Sequence, residues 1–153
     1  MRTTVAGVAV LTALTVVGCS DPDDAEPPTD QQIAALFTTW NDALATGNPE
    51  TVAALYAPDA VLIPTVSNEI RTDHAGIVAY FTDFLPNRPS AVIERSIIDV
   101  LDTDHAIDTG VYRFTLHKPE AVETVDARFT FVYEKRGDAW LIVNHHSSKM
   151  PES

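Results

Sequence analysis

Val111-Tyr112-Arg113-Phe114-Thr115-Leu116-His117 decides how this chain folds. Tyr112, Phe114 and Leu116 fall on one side of an extended backbone, and Val111, Arg113, Thr115 and His117 on the other. That period of two marks a strand with one apolar face. The pattern extends in both directions, giving four strands at about 91–101, 105–117, 123–135 and 139–148, separated by short polar turns. Such runs pair most simply as an antiparallel meander. In the third strand Phe129, Phe131 and Tyr133 form the apolar side, and Asp126, Arg128, Thr130 and Val132 the mixed one. The apolar sides suit a helix-covered core or an interface between copies, and the pattern alone does not choose between them.

Upstream the period lengthens. Ile33, Leu36, Phe37, Trp40 and Leu44 recur every three or four residues and predict a helix, with Asp30 as its cap and Gly47 as its stop. Asn48-Pro49-Glu50 restarts a short helix carrying Val52, Leu55 and Tyr56 inward, which Pro58-Asp59 ends. Val61-Leu62-Ile63 reads as a brief strand. Thr72 or Asp73 caps a third helix bearing Ile77, Tyr80, Phe81, Phe84 and Leu85, closed by Pro86 and Pro89. Three helices followed by a meander predict an α+β fold, a curved antiparallel sheet with the N-terminal helices packed on its concave face.

The chain has 153 residues, 45% of them hydrophobic, with 22 acidic and 10 basic side chains and a net charge of −12. This fits one folded domain and excludes binding to nucleic acid or an anionic membrane by bulk charge. Met1-Arg2 followed by the apolar run Val5–Val17 has the form of an export signal over residues 1–18. Val16-Val17-Gly18-Cys19 resembles the lipobox of bacterial lipoproteins, in which a lipid is attached to the Cys. An ordinary secreted protein with a free thiol near its start is the alternative. Removing residues 1–18, whose one charge is Arg2, leaves a net charge of −13 on 135 residues. With a single Cys no disulfide forms within the chain. Residues 19–30 are acidic and Pro-rich and predict a tether from Cys19, with the domain proper at 31–150. Asp21, Asp23 and Asp24 lack the glycine turn and terminal Glu of a calcium loop.

Trp40, Gly47-Asn48-Pro49-Glu50, Leu55-Tyr56-Ala57-Pro58-Asp59-Ala60-Val61-Leu62, Tyr80-Phe81 and Trp140-Leu141-Ile142-Val143-Asn144-His145-His146-Ser147-Ser148 together resemble the bacterial relatives of the calcium/calmodulin-dependent protein kinase II association domain. The likeness covers roughly residues 31–152. It lies within the nuclear-transport-factor-like, cystatin-like superfamily, which includes enzymes such as ketosteroid isomerase and scytalone dehydratase. Kinase chemistry is not implied, since the chain has no glycine-rich nucleotide loop, His-Arg-Asp or Asp-Phe-Gly. The resemblance implies a homo-oligomer assembled through its sheet, with a pocket in which arginines accept a carboxylate. Arg113 and Arg128 match the family's strand positions for such arginines, and Arg71 and Arg95 are further candidates.

The residues themselves leave these arginines two states. They bind a carboxylate through the planar guanidinium, or they are exposed or paired with Glu94, Asp108, Glu123 or Asp126. On the last strand, simple alternation groups His146 with Trp140, Ile142 and Asn144 as a pocket wall and sends His145 the other way. The expected ligand-binding set is Arg113, Arg128, His146, Asn144, Trp40, Tyr56 and Tyr80. No zinc spacing is present, and neither a metal nor a cofactor is expected. The predicted function is a non-catalytic module of a lipid-anchored surface protein, forming a homo-oligomer, a dimer in the first instance, through the strand face of Phe129, Phe131 and Tyr133. Its ligand would be a small molecule, a carboxylate among the options. The alternative is a small isomerase, dehydratase or hydrolase of the same fold, with Tyr56 or Tyr80 opposite Asp59, Asp99 or Asp108.

Overall fold

A computed structural model describes residues 26–151. The expected signal, Cys19 and the first part of the tether lie outside the described residues. The chain order is α1 (Asp30–Ala45), α2 (Pro49–Ala53), β1 (Tyr56–Ile63), α3 (His74–Phe84), a single 3-10 turn (Leu85–Asn87), β2 (Ser90–Val100), β3 (His105–His117), β4 (Val122–Arg136) and β5 (Ala139–Lys149).

Helix α1 is capped by Thr29, not by Asp30. The Thr29 hydroxyl accepts the Gln32 backbone N–H, and the Gln32 side chain accepts the Thr29 N–H at 2.8 Å, a reciprocal box in which Asp30 is already the first helical residue. Gly47 follows the last turn at φ +66°, a conformation that costs glycine no Cβ clash. Asn48 caps α2. That helix ends at Ala53, earlier than the sequence pattern predicts, and Tyr56 opens a strand of eight residues in which Pro58 sits at a break in register. Asp73 caps α3 through the Gly76 N–H.

The sheet order is β1-β5-β4-β3-β2. Strands β2 to β5 form the predicted meander, and β1 joins β5 in parallel, so the sheet is mixed. The parallel pairing joins distant residues: β1 precedes α3 and the meander, and it pairs with the last strand. The helices cover one face. Ile33, Phe37, Trp40 and Leu44 of α1 and Ile77, Phe81 and Phe84 of α3 are buried against Tyr112, Phe114, Phe129, Phe131 and Tyr133. Phe37 contacts Tyr112, Phe129 and Phe131, with centroids 6.3–6.4 Å apart.

The face carrying Phe129, Phe131 and Tyr133 is therefore the core of the single chain and is unavailable as a dimer interface. Each of the three is 3% exposed or less. The opposite face carries Val92, Arg95 and Ile97 of β2, Val111 and Arg113 of β3, Arg128, Thr130 and Val132 of β4, and Asn144 and His146 of β5. Among the described residues no helix covers it.

Candidate functional site

A cavity lies between the sheet and helices α1 and α3, lined on the sheet by Phe114, Leu116, Ala127, His145 and Ser147 and on the helices by Trp40, Tyr80, Phe81 and Phe84. Pro64, Thr65 and Val66, which follow β1, close one side. Its cavity volume is about 30 Å³, room for about a water molecule. The walls are nearly all apolar, and the polar atoms are few and connected.

A register shift decides which polar atoms these are. Tyr133 pairs with Ile142 and Val132 with Asn144, so Val143 is an extra residue on β5. A bulge of one residue reverses the alternation beyond it. Ile142 points inward, and after the bulge it is His145 and Ser147 that point inward while Asn144 and His146 turn to the open face. The expectation that His146 and Asn144 form the pocket wall is thus corrected: His146 is exposed and His145 is 3% exposed. Nothing in the amino-acid pattern signals Val143 as a bulge.

His145 packs parallel to Phe131 with ring centroids 4.0 Å apart, and Trp40 meets it edge-on at 5.4 Å. Its Nδ1 is 2.9 Å from the Tyr56 hydroxyl, which accepts the Trp40 Nε1–H at 3.0 Å. Its Nε2 is 3.5 Å from the Tyr112 hydroxyl, which donates to Ser147 Oγ at 2.5 Å. Ser147 in turn is hydrogen-bonded to Thr65 Oγ1. Burial, assisted by the neighbouring His146, pushes the His145 imidazole down to about 3, so it is neutral at physiological pH. Burial likewise raises the Tyr56, Tyr80 and Tyr112 phenols, which remain protonated donors. Trp40 and Tyr80 thus line the cavity, and Tyr56 stands behind His145. Ser147, Thr65 and His145 are members that sequence reasoning missed.

Arg113 and Arg128 are not in the cavity. Both lie on the open face, because Arg113 stands between the inward Tyr112 and Phe114, and Arg128 between the inward Ala127 and Phe129. Arg113 grips Asp126 through Nε at 2.6 Å and Nη2 at 3.0 Å and reaches Glu94 at 3.3 Å, the internally paired state rather than a ligand clamp. The Arg113 guanidinium, through its hydrogen bonds, holds the Asp126 carboxyl below its usual range. Asp59, one of the carboxylates considered for catalysis, is bound by Arg136 at 2.6 Å on the surface. Asp108 is buried elsewhere on the inner face with Ser96 donating to it at 2.5 Å, and burial raises its pKa.

Arg71 occupies the position that the strand arginines do not. Its backbone is bridged to Leu62 by two hydrogen bonds of 2.8 and 2.9 Å, and its side chain, 17% exposed, pairs through Nη1 with Glu69 at 2.6 Å. Its Nε–H is buried with no partner among the described residues. Arg71 lines a second, more polar pocket with Asp83, Asn87 and Lys118, and that pocket shares Val66, Tyr80, Phe84 and Leu116 with the apolar cavity. The two spaces are therefore adjacent, an apolar chamber beside a mouth with two cationic side chains and one acid.

The model of the calcium/calmodulin dependent protein kinase II association domain matches residues 29–151. A Xanthomonas campestris structure named for the same association domain is 54% identical, with a TM-score of 0.80, covering 88% of this chain and 95% of that one. An NTF2-like protein with a cystatin-like fold from Novosphingobium aromaticivorans is 12% identical (TM-score 0.66, covering 80% and 82%). A protein from Streptomyces avermitilis, named for a dehydratase of the NTF2-like family, is 15% identical (TM-score 0.71, covering 80% and 96%). At such identities the last two share the fold. No curated protein matches.

Proposed function

Because this chain belongs to the calcium/calmodulin dependent protein kinase II association domain family, we propose that it is a non-catalytic module that assembles with copies of itself and holds a small apolar acid in the pocket lined by Arg71. The observation that carries the ligand reading is Arg71. A guanidinium fixed by its own backbone, largely buried and with an unsatisfied Nε–H, in a pocket of about 360 Å³, fits a carboxylate whose hydrophobic body lies against Tyr80, Phe84 and Leu116. Assembly uses the open sheet face, where Val92 is 66% and Ile97 48% exposed. The module is exported and lipid-anchored at the bacterial cell envelope through Cys19, with the acidic segment as its tether.

A small enzyme of the same fold is the alternative, and the polar string inside the cavity is what favours it. Against it, no Asp or Glu lines the apolar chamber among the described residues, and His145, its pKa pushed down to about 3 by burial, is a weak base.

Native mass spectrometry of the mature chain, made soluble by Cys19→Ser, tests the assembly and ligand readings together. A dimer or larger closed assembly carrying a displaceable small acid is the expected result; bare monomers overturn both. By calorimetry, Arg71→Met lowers affinity for phenylacetate at least about tenfold, the range for a hydrogen bond to a charged group. Unchanged affinity removes Arg71 from the site. In cells Cys19→Ser releases the protein from the membrane fraction, and continued attachment rules out lipidation as the anchor.

A further inference from the structure

The pocket lined by Arg71 holds charges of both signs, and most of them already have partners. Helix α3 and the turn after it bring Tyr80, Asp83, Phe84 and Asn87 to one wall, at the three- and four-residue spacings that keep side chains on one helical stripe. Arg71 comes from the segment between β1 and α3, held by its backbone bridge to Leu62. Its Nη1 is committed to Glu69, and its Nε–H is buried with no partner among the described residues. Lys118, the other cation, is taken by Glu123. Asn87 Nδ2 donates to the Phe84 carbonyl at 3.0 Å, which leaves its Oδ1 as an acceptor. The Asp83 carboxylate makes no hydrogen bond or ion pair among the described residues, and Arg71 pairs with Glu69 instead of with it. A cationic donor and a carboxylate are therefore both left over in one space of about 360 Å³, kept from each other by the elements that carry them.

From this arrangement we propose that the pocket takes a zwitterion, an amino acid with an apolar side chain, in preference to a simple acid. This rests on the reading of Arg71 as a carboxylate site and adds the ligand's second charge. The ligand's carboxylate accepts the Arg71 Nε–H, and its ammonium donates to Asp83 and to Asn87 Oδ1. Its side chain lies against Val66, Tyr80, Phe84 and Leu116. A simple carboxylate would share the pocket with the Asp83 charge and bring nothing to offset it, in a chain whose net charge of −12 already repels anions. A zwitterion carries no net charge and answers both unpaired groups.

Calorimetry on the mature chain carrying Cys19→Ser, with phenylalanine and 3-phenylpropanoate as probes, decides it. The two share a carboxylate and an aryl group and differ in the ammonium. Wild type is expected to prefer phenylalanine by about two- to fivefold, the value of one exposed ion pair. Asp83→Asn, a change at an exposed position, removes that preference by weakening phenylalanine while sparing 3-phenylpropanoate. Equal affinities in wild type, or a preference that survives Asp83→Asn, overturn the zwitterion assignment while the pocket remains a carboxylate site. Binding of neither probe removes the carboxylate reading of Arg71 and this inference with it.

Discussion

Gly110→Ala is expected to cost about 3 kcal/mol or more, a large part of the total stability of a domain this size. Gly110 lies in β3 between Ser96 of β2 and Phe129 of β4. A Cβ there would sit 1.8 Å from the Arg95 carbonyl oxygen and 2.8 Å from its carbon. These are backbone atoms, so no side-chain rotation relieves the overlap; β2 itself has to move. The close approach arises where the β2 register shifts between Ile93 and Arg95. Displacing β2 would also disturb the contact of Ser96 with the buried Asp108 carboxyl. Urea unfolding with Gly137→Ala as a control checks this. Gly137 has φ +65° and open space where a Cβ would go, so its substitution pays only for the left-handed backbone, about 1 kcal/mol. If the two variants unfold alike, the packing of β2 on Gly110 is not as described.

The second large effect is at Trp40. Trp40→Ala should cost about 3–5 kcal/mol, the usual range for removing a buried aromatic. The indole is 2% exposed, contacts Phe37, Phe114, Phe131 and His145, and supplies the N–H that the Tyr56 hydroxyl accepts. Trp40→Phe keeps most of the packing and loses the donor, so its cost should be well below that of the alanine variant. Denaturant midpoints for the two variants, read by far-ultraviolet circular dichroism, separate packing from hydrogen bonding. Equal losses would mean that the indole N–H, rather than the ring's bulk, dominates at this position.

Much of this molecule was legible in advance because its signals are local. A helix with Ile33, Phe37, Trp40 and Leu44 on one stripe has to bury that stripe, and a strand alternating Tyr112, Arg113 and Phe114 has to hide one side. The four meander strands lie within a residue of their predicted limits. Where the reading went astray locally, competing backbone chemistry was the reason: Thr29 outcompetes Asp30 because Gln32 completes its capping box, and Tyr56 leaves the helical pattern to pair with β5. The family likeness was equally visible, in the motif from Trp140 to Ser148 and in Trp40.

By itself, then, the sequence determined the order and type of the elements, the apolar stripe of each, the α+β class and the family, all of which depend on residues near one another in the chain. The tertiary structure decided everything that depends on which side of the sheet a residue lies. Helices α1 and α3 settle on the Phe129–Tyr133 face and make it core, which sends Arg113 and Arg128 to the open side. The single extra residue Val143 exchanges His146 for His145 in the cavity. The bridge from Leu62 to Arg71 carries the guanidinium to the mouth beside the cavity. A strand's period of two says that neighbours point in opposite directions, and it holds no information about which direction is inward or where a bulge reverses them.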